Sequence, residues 1–120
     1  MDSRDKFFLN ETVKFVAKAL HLQSLPRRIV IVNDVSFAEK NLSFGVYNTQ
    51  TDEIHIYGGT RHVADVCRTL CHELVHHKQR EQGKHPDGSD GSPVENEANA
   101  LAGTLMRKFR YQHPEIYLEK

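Results

Sequence analysis

The chain of 120 residues has no tryptophan, only two cysteines, and no excess of charge of either sign. Its 16 basic residues balance 16 acidic ones, which argues against a surface that follows nucleic-acid phosphates or an anionic membrane. No apolar run is long enough to cross a bilayer, and the N-terminus lacks the uninterrupted apolar stretch of a signal peptide. We therefore expect a cytoplasmic protein that has neither nucleic acid nor a membrane as its partner.

Length and cysteine content limit the architecture further. A chain of this size is expected to form one small domain over residues 1–120, with no room for a separate substrate-binding module. Cys67 and Cys71 lie four residues apart in a predicted helix, where a pair of cysteines seldom has the geometry of a disulfide. We expect two buried thiols in a reducing compartment.

The first half of the chain predicts a helix followed by a short sheet. Apolar residues recur at helical spacing to about Leu22, with Asp2 or Ser3 as the cap. Pro26 breaks this pattern, and the β-branched run RIVIVNDV after it is typical of a strand buried on both faces. The segments SFGVYNT and EIHIYG flank QTD, which predicts a hairpin or a close pair of strands.

Two longer helices follow in the second half. Thr60 is the expected cap of a helix over about 61–81, and its core-facing stripe consists of Val63, Val66, Cys67, Leu70 and Leu74. The next helix begins with Ser92 as its cap, Pro93 in its first position and Glu95 in a capping box. Together these elements predict a small α+β domain with an N-terminal helix, a short mixed sheet and two packed helices.

The helix over 61–81 contains the pattern H-E-x-x-H within the segment TLCHELVHHKQ. His72 and His76 are one helical turn apart, so both imidazoles can bind one zinc ion, whose bonds to nitrogen are about 2.0 to 2.1 Å long. Glu73 projects beside them, where a carboxylate can take a proton from a zinc-bound water. The pattern also arises by chance on polar helix faces, and its predicted helical context favours the metal site.

A catalytic zinc site commonly has three protein ligands. The metzincin pattern requires Gly and His where this chain has Gln79 and Gln82, which excludes that class. Because Glu95 is assigned to the helix cap, Glu97 is the candidate third ligand. His85, in the polar segment KHPDGSD, is the alternative, although a histidine in such a loop is more often solvated.

Other polar residues are expected to have simpler roles. His77 falls on the core side of its helix, which favours a structural histidine. Tyr111, His113 and Tyr117 are candidate oxyanion donors, a role that needs a donor about 3 Å from the developing charge, although packing or surface roles are the default. The segment DGSDGS lacks the spaced ligands of a calcium loop.

The segments HELVHH and NEANALAG resemble the gluzincin zinc peptidases, and more closely the small ImmA/IrrE-type metallopeptidase domains, over about residues 44–110. The chain is also similar to short H-E-x-x-H proteins of tailed bacteriophages that have an E-N-E-A-N segment. The resemblance implies a zincin-like domain in which His72, His76 and Glu97 bind Zn²⁺ and Glu73 is the general base. Thermolysin-like members orient the first histidine with an Asp four residues after the ligand Glu, and this chain has Leu101 there.

We therefore expect a zinc-dependent endopeptidase that hydrolyses an extended polypeptide through a zinc-activated water. The segment EIHIYG is the expected sheet edge that pairs with the substrate. The alternative is a zinc-stabilised structural or assembly module with a protein partner, for example in a phage particle, which would be virion-associated. A third hypothesis is a regulator that binds a repressor through the same cleft. Glu73 favours the peptidase, whereas the small size and Leu101 favour the module.

Overall fold

Helices cover a small mixed sheet in the computed structural model, which describes residues 2–84 and 92–117. The elements in chain order are α1 (Ser3–Leu20), β1 (Arg28–Val32), α2 (Val35–Asn41), β2 (Gly45–Asn48), β3 (Glu53–Tyr57), α3 (Val63–Glu81) and α4 (Pro93–Gln112), with a final 3₁₀ turn at Pro114–Tyr117. The α+β prediction is confirmed. The short helix α2 was not predicted, because none of its residues is buried and it has no apolar stripe to reveal it. His85 and all of the segment DGSDGS except Ser92 lie outside the described residues.

The three strands lie in the order β1-β3-β2. Strand β1 is parallel to β3, with Ile29 opposite Ile54, and β2 is antiparallel to β3, with Val46 opposite His55. The sheet is therefore mixed, and the predicted hairpin of SFGVYNT and EIHIYG is present as β2 and β3. The strand β3 has partners on both sides, so the expectation that EIHIYG forms the sheet edge is wrong. The edge next to the H-E-x-x-H pattern is β2.

Strand β1 forms the opposite edge of the sheet. Its residues are half-buried or exposed, so the expectation of a strand buried on both faces is wrong as well. One face of β1 does contact the core, because the partly buried side chains of Ile29 and Ile31 pack against it. In contrast, Ile54 and Ile56 of the central strand are completely buried.

Helix α3 is the centre of the core and packs against α1, α4 and the sheet. All the residues of its predicted apolar stripe are buried, which confirms the helical periodicity. Cys67 and Cys71 are free, buried thiols, and burial raises their pKa to about 11 and about 12. On α4, the small residues Ala98 and Ala102 are buried, so the two helices pack closely where the motif lies.

The helix starts differ in how well the sequence predicted them. The side chain of Asp2 caps α1, and Ser92 caps α4 with its hydroxyl oxygen 3.2 Å from the N–H of Glu95, both as predicted. For α3 the cap is His62, whose Nδ1 accepts a hydrogen bond from the N–H of Ala64 at 3.0 Å. The expected cap Thr60 therefore lies outside the helix. No helix among the described residues combines the length and the apolar character needed for a membrane crossing.

Candidate metal centre

Helix α3 directs two imidazoles toward the start of α4. The Nε2 atoms of His72 and His76 are 3.1 Å apart, because residues four apart on a helix project from the same side. Two ligand atoms bound to one tetrahedral zinc ion lie about 3.3 Å from each other, given zinc–nitrogen bonds of about 2.0 to 2.1 Å. The two nitrogen atoms therefore already have nearly the separation that a shared metal ion requires.

A carboxylate from the first turn of α4 completes this group. The Oε1 atom of Glu95 is 3.2 Å from Nε2 of His72, and its Oε2 atom is 2.7 Å from Nε2 of His76. The ligand atoms of these three residues all lie within 4.8 Å of one another. Two imidazole nitrogens and one carboxylate oxygen are a donor set found in catalytic zinc sites, which keep a fourth position open. The group His72, His76 and Glu95 is called the metal centre below.

The structure does not bring the expected ligand Glu97 to the two histidines. Its carboxylate accepts a hydrogen bond of 2.8 Å from Nε2 of Gln79 and lies 3.2 Å from Nζ of Lys84. The sequence pattern assigns Glu95 only to the helix cap, whereas in the structure this residue has two roles. Its backbone N–H binds the Ser92 hydroxyl oxygen, and its side chain reaches the histidines.

The rotation of α4 about its axis decides which glutamate faces α3. The buried face of α4 consists of Ala98, Ala102, Leu105, Met106 and Phe109. One turn before Ala98 along this face is Glu95, whereas Glu97 lies about 200° around the helix from Glu95. The apolar stripe of α4, extended backwards by one turn, was the sequence signal that could have identified Glu95.

A buried amide holds the second histidine in place. Gln79 is completely buried, and its Oε1 lies 2.7 Å from Nδ1 of His76. Its Nε2 donates to the backbone oxygen of Val94 at 2.9 Å and to Glu97. Since both partners of the amide nitrogen are acceptors, the amide oxygen must face the imidazole, so Nδ1 carries the proton. The Nε2 lone pair is then free for a metal ion.

The first histidine has a polar partner on α4. Burial, followed by repulsion from His76, lowers the pKa of His72, while Glu95 and a side-chain hydrogen bond with Asn99 act in the opposite direction. Counted from Glu95, the residue four positions further on is Asn99, not Leu101. Asn99 is therefore one helical turn from Glu95, on the same side of α4. Neither Gln79 nor Asn99 was identified from the sequence.

Glu73 is buried next to the metal centre, on the side that faces the sheet. Burial raises its pKa to about 8, and the negative charge of Glu95 adds to this effect. A Cβ atom at Gly45, the first residue of β2, would lie only 2.9 Å from Oε2 of Glu73 and 2.6 Å from Cγ2 of Thr69. The absence of a side chain at Gly45 therefore lets the edge strand approach the carboxylate closely.

A cleft between β2 and the two helices leads to these groups. Its floor contains Ser43, Gly45, His72, Glu73 and Glu95, which line both of its parts. One part, of about 300 Å³, is called the Arg68 lobe and is also lined by Phe44, Arg68, Thr69, Asn99 and Ala102. The other, of about 620 Å³, is called the Leu42 lobe and is also lined by Asn41, Leu42, Val46, Tyr47 and His76.

His77 is a structural histidine, as predicted. It is almost completely buried, with Nε2 2.8 Å from the backbone oxygen of Ser24 and Nδ1 3.0 Å from the hydroxyl of Tyr47. Carboxylate oxygens of Asp52 and Glu81 lie 3.1 and 3.3 Å from its two nitrogens. These contacts join α3 to the hairpin and to the loop before β1.

The three candidate oxyanion donors near the C-terminus lie away from the cleft. Tyr111 is exposed, and the ring of Tyr117 stacks on His62 with a centroid distance of 6.0 Å. The ring of His113 packs against Phe109 at 4.7 Å. None of the three lines either lobe, so they have the packing and surface roles that were the default expectation.

Comparison with known proteins gives no relative: no protein-family model, no curated protein and no solved structure matches this chain.

Proposed function

We propose that this protein is a zinc-dependent endopeptidase that acts on extended polypeptides. The observation that carries this proposal is the convergence of His72, His76 and Glu95 beside the buried carboxylate Glu73, at the floor of an open cleft. A structural zinc site has no need of such a carboxylate, and its four protein ligands leave no position for a substrate. Among residues 2–84 and 92–117 the donor set has three members, and both lobes of the cleft reach it.

The chemistry divides between the metal ion and the side chains. Zinc bound to the three ligands would supply a Lewis acid for the peptide carbonyl and would lower the pKa of a coordinated water to about 7. Glu73 would accept the proton of the attacking water and then deliver it to the leaving amine, so that the carboxylate is regenerated. A base with a pKa near neutrality suits both transfers. Burial raises the pKa of Glu73 to about 8 in the metal-free protein, and the positive charge of a bound zinc ion would lower it again.

The remaining residues of the cleft position the ligands and the substrate. Gln79 and Asn99 hold the two imidazoles, as described above. Strand β2 has no strand partner on its outer side among the described residues, so an extended peptide can pair with this edge by main-chain hydrogen bonds. Gly45 brings that edge next to Glu73.

The test compares the wild-type protein with the variant Glu73→Gln. We expect both to bind about one zinc ion per chain, because Glu73 is not a ligand. Hydrolysis of a peptide library should fall by a factor of about 10² to 10⁴ in the variant, which is the usual contribution of a general base. The matched control is Glu11→Gln, a change of the same kind on α1 that does not touch the cleft and should leave the rate unchanged.

Three outcomes would contradict the proposal. If zinc-loaded wild-type protein cleaves no peptide of a broad library between about pH 6 and 9, the zinc-stabilised assembly module becomes the better explanation. An equal rate in wild type and Glu73→Gln would show that the hydrolysis comes from a contaminating protease. A chain that binds no zinc would remove the metal centre itself.

A further inference from the structure

A basic hollow lies next to the Arg68 lobe of the cleft and shares Arg68 with it. This hollow, of about 210 Å³, lies on the α3–α4 surface and is lined by Arg68, Gly103, Met106, Arg107, Arg110 and Tyr117. Arg68 lines both the lobe and the hollow. Among the described residues, no aspartate or glutamate lines the hollow. The whole chain has a formal net charge of zero, so this group of arginines is a local excess of positive charge.

The arginines form a line that leads away from the metal centre. On α4, Asn99, Gly103, Arg107 and Arg110 follow one another at helical spacing, so they share one face. On α3, Arg68 precedes His72 by one turn. A Cβ atom at Gly103 would lie 3.6 Å from a guanidinium nitrogen of Arg68, so the Arg68 side chain extends to the surface of α4.

The guanidinium groups of Arg68 and Arg107 are available to a ligand. Arg68 and Arg107 are exposed, and within residues 2–84 and 92–117 neither forms an ion pair or a hydrogen bond. The acidic residue of α3 nearest to Arg68 in the sequence is Asp65. Burial lowers the pKa of Arg61, and the negative charge of Asp65 opposes this effect. Arginine binds carboxylates through two parallel hydrogen bonds, so partner-free arginines beside a cleft favour an anionic ligand.

We propose that Arg68, Arg107 and Arg110 bind an acidic segment of the polypeptide substrate on one side of the scissile bond. This inference rests on the proposed peptidase function, because it places the segment in the same cleft. Arg68 lies four residues before His72 on α3, which is about 6 Å along the helix axis. Arg107 lies twelve residues after Glu95 on α4, which is about 18 Å along the helix axis. An extended peptide advances about 3.4 Å per residue. The preferred acidic residues are therefore about two and about five positions from the scissile bond.

The surroundings favour an acidic polypeptide over a nucleic acid. The hollow shares Arg68 with the cleft. One wall of the cleft is the open edge of β2, and such an edge suits the backbone of a peptide. Single-stranded nucleic acids are commonly bound by exposed aromatic rings on which the bases stack. The aromatic ring at the hollow, that of Tyr117, already stacks on His62 and lies beneath the guanidinium group of Arg110.

The first arm of the test measures binding, without any need for cleavage. Two labelled peptides are compared by fluorescence anisotropy, with both wild type and Glu73→Gln as the protein. One peptide has Glu at the positions about two and about five residues from the scissile bond, and the other has Gln there. We expect about tenfold tighter binding of the acidic peptide at about 50 mM salt, and a smaller difference at high salt. The double variant Arg68→Gln, Arg107→Gln should lose this preference, while the exposed-lysine control Lys14→Gln should keep it.

The second arm measures cleavage by the zinc-loaded protein. The acidic peptide should have the lower KM, and Arg68→Gln, Arg107→Gln should equalise the two KM values. Circular dichroism confirms that each variant is folded. If no peptide is cleaved, the peptidase proposal fails, and the binding arm still decides the present inference.

Three results would overturn the inference. They are equal binding of both peptides by the wild type, an unchanged acidic preference in the double arginine variant, and binding of a single-stranded oligonucleotide that the acidic peptide does not displace. The last result would assign the arginines to a nucleic acid.

Discussion

The choice between Glu95 and Glu97 as the third ligand leads to a prediction with matched variants. Both residues lie in the first turns of α4, and both changes, Glu95→Gln and Glu97→Gln, preserve the size of the side chain. We expect Glu95→Gln to remove tight zinc binding and Glu97→Gln to preserve most of it. The reason is position: the carboxylate of Glu95 lies within 3.2 Å of both imidazole Nε2 atoms, whereas that of Glu97 binds Gln79 and Lys84.

The expected magnitudes follow from these contacts. Residues that only orient a metal ligand contribute about 10- to 100-fold in metal affinity. Because Glu95 would bind the ion directly, its loss should weaken zinc binding by more than about 100-fold, or about 2.7 kcal/mol. The amide of Glu97→Gln still offers an oxygen to Gln79. The lost pair with Lys84 is half-exposed, and such pairs contribute no more than about 1 kcal/mol, so the affinity should fall by less than about tenfold.

The assay is a competition titration against a chromophoric zinc chelator at neutral pH. Urea unfolding of the metal-free proteins serves as the control for the fold. The cap of α4 uses the backbone N–H of Glu95 and the hydroxyl of Ser92, so Glu95→Gln should retain it. A larger loss of zinc affinity in Glu97→Gln than in Glu95→Gln would refute the arrangement of α4 described above. Equal losses would show that neither carboxylate is bound preferentially.

Two further predictions concern the surroundings of the metal centre, and a third concerns the end of α3. Gln79→Leu removes the acceptor for Nδ1 of His76 and should weaken zinc binding about 10- to 100-fold in the same competition titration. Gly45→Ala places a Cβ atom against Glu73 and should lower thermal stability by about 1 to 3 kcal/mol and reduce peptide cleavage. Burial raises the pKa of Glu81, but hydrogen bonds from the backbone before β1 outweigh this and lower it. The pKa of Glu81 in the folded protein therefore lies below the unfolded value of 4.5. The ionised carboxylate stabilises the fold above that pH, and this stabilisation is lost as the pH falls through the folded pKa. Glu81→Gln should thus cost about 1 kcal/mol at pH 7 and nothing at about pH 3 in urea unfolding.

Features that depend on one helix could be predicted from the sequence. The core stripe of α3, the caps of α1 and α4, and the convergence of His72 and His76 all follow from 3.6 residues per turn and from side chains that bind nearby backbone groups. The burial of His77 follows from the same periodicity, because it lies on the side of Leu70 and Leu74. These interactions join residues that are close along the chain, so no knowledge of the packing was needed.

The strand at the sheet edge could not be predicted in this way. Both strands of the hairpin have the alternating pattern, and either could be the outer one. The parallel pairing of β1 with β3 leaves β2 at the edge, and this pairing joins residues about 25 positions apart in the chain. A hairpin pattern contains no information about a third strand.

The third ligand depended on tertiary structure for a similar reason. The sequence by itself determined that Ser92 caps α4 and that the helix carries two glutamates near its start. The Ser92 cap is confirmed, whereas the carboxylate of Glu95, which the predicted capping box assigns to the cap, contacts the histidines. The sequence pattern does not show that the backbone N–H of Glu95 can bind the cap while its carboxylate contacts a neighbouring helix. Only the packing of Ala98 and Ala102 against α3 sets the rotation of α4, and this rotation directs Glu95 toward the histidines and Glu97 away from them, because residues two apart on a helix point in nearly opposite directions.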